Sequence, residues 1–548
     1  MPTVSYNLDE IYKSIGKQIS LEELNEVLEF CKCEFKQIKG SEVICEITPD
    51  RPDLFSTEGL VHFLKGILGL EKGIKKIKVF KENFKVEISD ELKNIRPYVV
   101  IATIRGVKLD DESLKRIINY QELLHENWCR SRKKASIGLY DLSKLHGNIK
   151  FELRKLDEIK FRPLEEKREM SGWEIIKNTE KGLKYKDLIL PNAAPVLVDS
   201  KGNYLSMAPI INSEDCKVTK NTTDILIDST GFDIDFINSV VSLMIHTITY
   251  YGGEVGIVKH QIGDREYYTS LSNKAYQFSL KDFEKVTGLN LTCNQVIDFL
   301  EKARYGTKIE DEQIKVEVPF YRVDILHPID IIEDLAIIYG YNKIELELPV
   351  LVTKPKISKK TIIHNLIRDI MNGFGFQEIL NYMLCDFEIQ TTKVNLDQIS
   401  SEIITIQNPI SKDFNCIRAN LFPCVLQFLS KNTSKPYPQK VYEIGDVINL
   451  SEGKIITKNK LAACVIDNIV DFELMHGYLF SLLENFNFDL TLSNANLPFG
   501  LEERSAYINV NSKTIGWIAE INPNVLLNFS LRMPAIIFEL DLTKTFDF

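Results

Sequence analysis

Apolar residues recur at helical spacing in some stretches of this chain and alternate with polar ones in many others. The pattern predicts a mixed α and β protein of several packed units. Residues 21–28, LEELNEVL, read as an amphipathic helix with Ser20 as N-cap and Glu23 three residues on. Residues 41–47 alternate like a strand and run into the proline-punctuated turn TPDRPD at 48–53. A helix is expected from near Asp53, carrying Leu54, Glu58, Leu60, Val61 and Leu64. From about 76 to 265 the pattern is strand-rich, with 98–104 nearly continuous in β-branched and aromatic residues. Helices near 280–286 and 294–303 and a strand at 314–318 follow. A long amphipathic helix at 358–371 has Ile362, Ile363, Leu366, Ile367 and Ile370 on its apolar side and stops at Gly373 and Gly375. Strand runs at 441–450, 461–466, 506–510, 514–521 and 535–542 describe an antiparallel sheet flanked by helices. The expected fold class is α+β and multidomain: a mixed α/β domain at 1–75, an α+β domain at 76–265, a small winged-helix-like module at 267–346 and a sheet domain at 350–548.

Composition adds few constraints. At roughly 150 residues per domain, a chain of 548 residues holds three or four units. The start MPTVSYNLDEIYK lacks the basic end and apolar core of a secretory signal, and the most apolar run, 237–251, is broken by Ser242, His246 and Thr247, so a cytoplasmic protein is expected. Ten cysteines without a CxxC pair predict neither a zinc site nor a disulfide framework, but reduced core residues. A net charge of −10 argues against a chain that coats nucleic acid over a large surface, leaving Arg130-Ser131-Arg132-Lys133-Lys134 as a local RNA-contact candidate or a solvated loop.

The densest candidate chemistry is at 319–346. Asp324 ends an alternating run that reads as a strand. Asp330, Glu333 and Asp334 follow at i, i+3 and i+4 on one face of a helix whose apolar side is Ile331, Ile332, Leu335, Ile338 and Tyr339. Such an oxygen-rich cluster suits Mg²⁺ or Ca²⁺. The same pattern equally fits an Asp330 N-cap, a Glu333 capping box and an Asp334 that complements the helix dipole.

Four segments in order, TPDRPDL at 48–54 with Glu58-Gly59-Leu60, NYLSMAPIIN at 203–212, the acidic stretch at 321–341 and KVYEIGDV at 440–447, resemble the β subunit of phenylalanyl-tRNA synthetase in its shorter archaeal and eukaryotic-cytosolic form. The resemblance implies an (αβ)₂ heterotetramer acting on tRNA(Phe), in which the α subunit uses ATP to activate and transfer phenylalanine. The β subunit then supplies editing, metal-bridging and a degenerate class II synthetase scaffold. It implies that Asp324, Asp330, Glu333 and Asp334 hold a structural Mg²⁺ at the contact with α, and that 76–265 is an editing domain that hydrolyses Tyr-tRNA(Phe). It also implies that the chain lacks the N-terminal OB-fold extension and C-terminal anticodon-binding domain of the longer bacterial form.

Independent residue chemistry points the same way. A class II site needs an Arg two residues before a strand Glu, and here Val441 precedes Glu443; no Gly-x-Gly-x-x-x-Arg run appears near the C-terminus. An apolar pocket for phenylalanine rejects an added hydroxyl by only about 100-fold, which leaves room for a second, hydrolytic site. Segments LSMAP at 205–209 and IDSTG at 227–231 resemble the family's editing domain, and the resemblance implies that Asp228 and Thr230, at i and i+2 on one strand face, bind the tyrosyl hydroxyl or orient water near the ester. Ser206 and Asn212 are further candidates, or ordinary turn residues. The absence of a Ser/His/Asp or Cys/His set favours a positioned water over a covalent intermediate. Two other readings stay open: a freestanding trans-editing hydrolase, and a winged-helix nucleic-acid-binding or structural protein.

Overall fold

Ser20 caps the helix Leu21–Glu29 by accepting the backbone N–H of Glu23 at 3.0 Å, as the sequence pattern predicts. The next expected helix starts later than Asp53. Pro52–Phe55 forms a 3-10 turn, and Ser56 then caps the helix Thr57–Ile67 through the N–H of Gly59. These elements belong to a computed structural model that describes residues 2–310 and 313–547. The chain divides into two units, Met1–Leu348 and Pro349–Phe548.

The first unit carries three main sheets. Thr3–Asn7, Glu42–Ile47 and Cys33–Lys39 form a three-stranded antiparallel sheet. Lys274–Ser279, Gln313–Val318 and Gly306–Glu310 form another, of which only the central strand lies on an expected run, although Tyr276 and Phe278 alternate along one outer strand. Between them in the chain lies a ten-stranded sheet. At one end, Asp224–Gly231 pairs antiparallel with Tyr98–Arg105 on one side and with the edge strand Ala135–Asp141 on the other, which sets Asp228 opposite Ile101 and Gly138. The expected run at 237–251 is the helix Ile234–Ile248, buried over most of its length because one continuous core receives it. That core also contains Leu60, Leu64, Val296 and Leu335, so the three sheets share one interior. Among the described residues no helix is long and apolar enough to cross a membrane.

The second unit is built on a seven-stranded sheet in the order Gln377–Glu378, Gln439–Ser451, Lys454–Ile466, Ala535–Asp541, Lys513–Ile521, Gly500–Val510, Leu490–Asn494, antiparallel except at its first pair. Strand alternation sends Val441, Ala462 and Cys464 to one core and Tyr442, Leu461 and Ala463 to the other, so both faces are covered. The hairpin 439–466 is longer than its apolar runs predict, and it turns at Glu452 and Gly453, both at positive φ (50° and 74°), the mirror-image turn that matches strand twist. Lys359–Gly373 is the expected long helix, capped by Ser358.

Candidate functional site

Asp228 sits inside the ten-stranded sheet, 3 % exposed. Its Oδ1 accepts the phenol O–H of Tyr140 at 2.5 Å. Tyr140 is itself 1 % exposed, on the edge strand. Burial pushes the Asp228 carboxyl up to about 7, against the opposing pull of the Tyr140 bond and the Arg96 cation. The Asn212 side-chain oxygen Oδ1 lies 3.5 Å from the same phenol, and Ser206 also interacts with it. Ser206 and Asn212 face each other across a hairpin. Asp228, Ser206 and Asn212 therefore converge on one point, and that point is Tyr140.

Thr230 points to the same sheet face, ~6.8 Å along the strand, but belongs to a neighbouring set. Its hydroxyl accepts Arg96 Nε at 2.7 Å and lies 2.8 Å from the Ser136 hydroxyl. Arg96 Nη2 donates to the Thr230 carbonyl at 2.7 Å. Burial lowers Arg96 to about 10, so it remains a cation at neutral pH. Tyr140 and Arg96 escaped sequence reasoning because each reaches its partner across the sheet from a distant segment. The basic patch splits. Arg130, Lys133 and Lys134 are exposed, whereas Arg132 is buried and donates to the carbonyls of Pro209 and Ile210 at 3.2 and 2.9 Å, pinning the hairpin that carries Ser206 and Asn212.

The acidic segment differs from its sequence reading. The strand ends at Val318 before Pro319, and Asp324 lies in the connection that follows. The helix Pro328–Tyr339 begins a turn earlier than an Asp330 N-cap requires: His327 is the N-cap, Pro328 occupies the first turn, and Asp330 completes the capping box by accepting the N–H groups of Leu326 and His327 at 2.8 Å. The four carboxylates do not meet around one vacant centre. Arg322 takes Asp324 in a two-point grip at 2.8 and 2.6 Å and Asp334 at 2.6 Å. Tyr305 adds a 2.6 Å bond to Asp334. Lys32 bridges Glu333 at 3.2 Å and Asp50 at 3.5 Å. Arg322 and Arg51 hold Asp324 down to about 2 against the upward push of burial. Arg51 pairs with Asp53 at 2.7 Å, so the turn at 48–54 joins the same network. Protein cations already neutralise Asp324, Glu333 and Asp334, backbone N–H groups hold Asp330, and among the described residues no group of three His, Cys, Asp or Glu side chains is placed to hold a metal ion. The arrangement does not fit a resident Mg²⁺ in this chain by itself.

In the second unit, Glu443 is tied up in the interior: it accepts Arg418 Nη1 at 2.5 Å and the Asn381 side-chain amide at 2.7 Å. Glu539 accepts the N–H groups of Leu421 and Phe422 at 3.0 and 2.8 Å and Lys460 Nζ at 2.6 Å. Val441 is apolar and buried two residues before Glu443, so no free guanidinium stands there for a carboxylate or phosphate.

Comparison with known proteins agrees along the whole chain. Family models of the B3/4 domain, the tRNA synthetase B5 domain and the phenylalanyl tRNA synthetase beta chain CLM domain match residues 95–248, 276–341 and 344–542. The chain is 34% identical to the phenylalanine–tRNA ligase beta subunit of Methanosphaera stadtmanae, over 99% of this chain and 100% of the relative. It is 37% identical to that of Korarchaeum cryptofilum, over 99% and 98%. The crystal structure of an N-terminal fragment of the phenylalanyl-tRNA synthetase beta subunit from Pyrococcus horikoshii resembles it with a TM-score of 0.59 at 35% identity, covering 62% of this chain and 100% of the fragment.

Proposed function

Because the chain belongs to the phenylalanine–tRNA ligase beta subunit family, we propose that it is the non-charging half of an enzyme that joins phenylalanine to tRNA(Phe) with ATP, and that its ten-stranded sheet domain removes tyrosine wrongly esterified to that tRNA. Its partner is an α subunit in an (αβ)₂ assembly. The observation that carries the hydrolytic reading is the buried Asp228 carboxylate with a phenol already hydrogen-bonded to it at 2.5 Å. A site that binds its own tyrosine hydroxyl has the chemistry to bind a substrate's.

The tyrosyl hydroxyl donates to Asp228 in this reading, and the ester end lies one residue pair along the strand, ~6.8 Å away. There Thr230, Ser136 and the Arg96 cation offer hydroxyls and positive charge to the ester carbonyl and to an attacking water. Water adds to the carbonyl carbon, the bond to the ribose oxygen breaks, and a water proton passes to that oxygen as tyrosine leaves. Phenylalanine makes no bond to Asp228, and entry of its ring leaves a buried carboxylate without a donor, which is how a polar site discriminates strongly.

The buried Arg418–Glu443 pair and the apolar Val441 support a chain that does not charge tRNA alone. In the assembled complex the implied magnesium would be held through Glu333, the exposed carboxylate of the four, and no step of the hydrolysis runs through it. Coexpression with the α chain tests the reading. The complex is expected to charge tRNA(Phe) with phenylalanine and to release tyrosine from Tyr-tRNA(Phe), and the lone chain not to charge. Charging by the lone chain, or a complex inert towards Tyr-tRNA(Phe), contradicts it.

A further inference from the structure

We propose that Tyr140 is the gate of the hydrolytic site: with no substrate bound its phenol fills the hydroxyl position at Asp228, and it must withdraw before any aminoacyl group can enter. The inference rests on the hydrolytic reading above and goes beyond it, since that reading needs Asp228 but assigns Tyr140 no role.

The geometry is that of an occupied subsite. Tyr140 and Asp228 meet at 2.5 Å with 1 % and 3 % exposure, so a second phenol finds no room between them. The meeting is possible only because Gly138 stands directly opposite Asp228. A Cβ there would lie 2.1 Å from both Asp228 Oδ1 and the Tyr140 hydroxyl. Asn212 Oδ1 also lies 3.5 Å from the Tyr140 hydroxyl.

The strand that carries Tyr140 is buried along its length but lacks a second strand partner. Ala135–Asp141 is the edge of the sheet, paired on one side only. Its outer side is held by side chains instead: Gln121 donates to the Ile137 carbonyl at 2.8 Å and Asn212 to the Leu139 carbonyl at 3.5 Å.

Opening breaks the Tyr140–Asp228 bond for every entrant. A tyrosyl group replaces it with its own hydroxyl, whereas a phenylalanyl group does not. The closed state thus lowers the apparent affinity of both esters by one common factor, the fraction of time the site stands open. The correct product, Phe-tRNA(Phe), is protected from wasteful hydrolysis, and tyrosyl selectivity stays with Asp228. Tyr140 is a positioning residue in this scheme and touches no reacting atom.

The test compares the wild-type α–β complex with its Tyr140→Phe variant on Tyr-tRNA(Phe) and Phe-tRNA(Phe). Loss of the hydroxyl should lower KM for both esters about tenfold and leave kcat and the ratio of the two substrates unchanged. Unaltered KM for both overturns the gate, as does slower hydrolysis of Tyr-tRNA(Phe) alone, which would make Tyr140 a direct substrate contact. A wild-type complex that releases no tyrosine removes the hydrolytic reading, and the gate with it. A second measurement is independent of the variant's folding: the wild-type complex crystallised with adenosine carrying tyrosine through a non-hydrolysable 3′-amide. The gate requires the ligand hydroxyl on Asp228 and the Tyr140 hydroxyl displaced; a bound ligand with Tyr140 still on Asp228 rules it out.

Discussion

Arg418 and Glu443 face each other 2.5 Å apart inside the second unit, with side chains only 4% and 1% exposed. A carboxylate that a synthetase strand would aim at substrate is here spent on an internal cation. Breaking a buried pair by removing one partner leaves an uncompensated charge. Glu443→Ala should therefore lower unfolding free energy by about 3–5 kcal/mol, and joint replacement of Arg418 and Glu443 by Met and Leu should restore most of it. Denaturant melts of the α–β complex check both. A mild Glu443→Ala would show that the pair is solvated and the interior open.

The acidic segment makes a second prediction. Arg322 neutralises Asp324 and Asp334, so chelators should leave the thermal melting of the isolated chain unchanged. Arg322→Met removes that cation and leaves two buried carboxylates close together. This variant should melt lower and recover part of the loss in millimolar Mg²⁺ or Ca²⁺. A wild-type chain that chelation alone destabilises would show a resident metal.

Stability should fall as the solution is acidified from pH 6.5. Burial lowers His125 to about 4, and His246 and His260 to about 3; His62 is also pushed down. His125 and His260 use Nε2 to accept the N–H groups of Ile137 and Ile101, both at 2.8 Å, bonds that protonation destroys. A depressed histidine takes up its proton only on unfolding. Each therefore contributes roughly 1.4 kcal/mol of lost stability per pH unit between about 6.5 and its folded value. Asp228 has the opposite sign. Raised to about 7, it favours the folded state below the ordinary carboxylate range and loses that contribution as pH rises towards 7, offsetting about one histidine. Equilibrium unfolding at pH 5.0, 5.5 and 6.0 reads the net slope. His260→Gln should flatten it, and a pH-independent midpoint would contradict the buried neutral imidazoles.

Much of this was legible in the sequence where a pattern is local. Ser20 with Glu23 announced a helix start, and the alternation near 98–104 announced the strand Tyr98–Arg105. The Pro328 that opens the acidic helix was equally local evidence against an Asp330 N-cap, since proline favours the first helical turn. What no local pattern carries is a partner brought in by topology. Spacing grouped Asp330, Glu333 and Asp334 correctly on one helix, yet the lysine that bridges Glu333 lies 301 residues away. Tyr140 and Arg96 stand 88 and 134 residues from Asp228 and Thr230. Strand parity put Asp228 and Thr230 on one face, but only the sheet order shows that they serve different neighbours.

The most direct measurement is tyrosine release from Tyr-tRNA(Phe) by the α–β complex carrying Asp228→Ala. The account predicts a loss of roughly 10- to 100-fold, with phenylalanine charging by the same complex intact and tyrosine accumulating on tRNA(Phe). Release at the wild-type rate from a complex that still charges phenylalanine would contradict it.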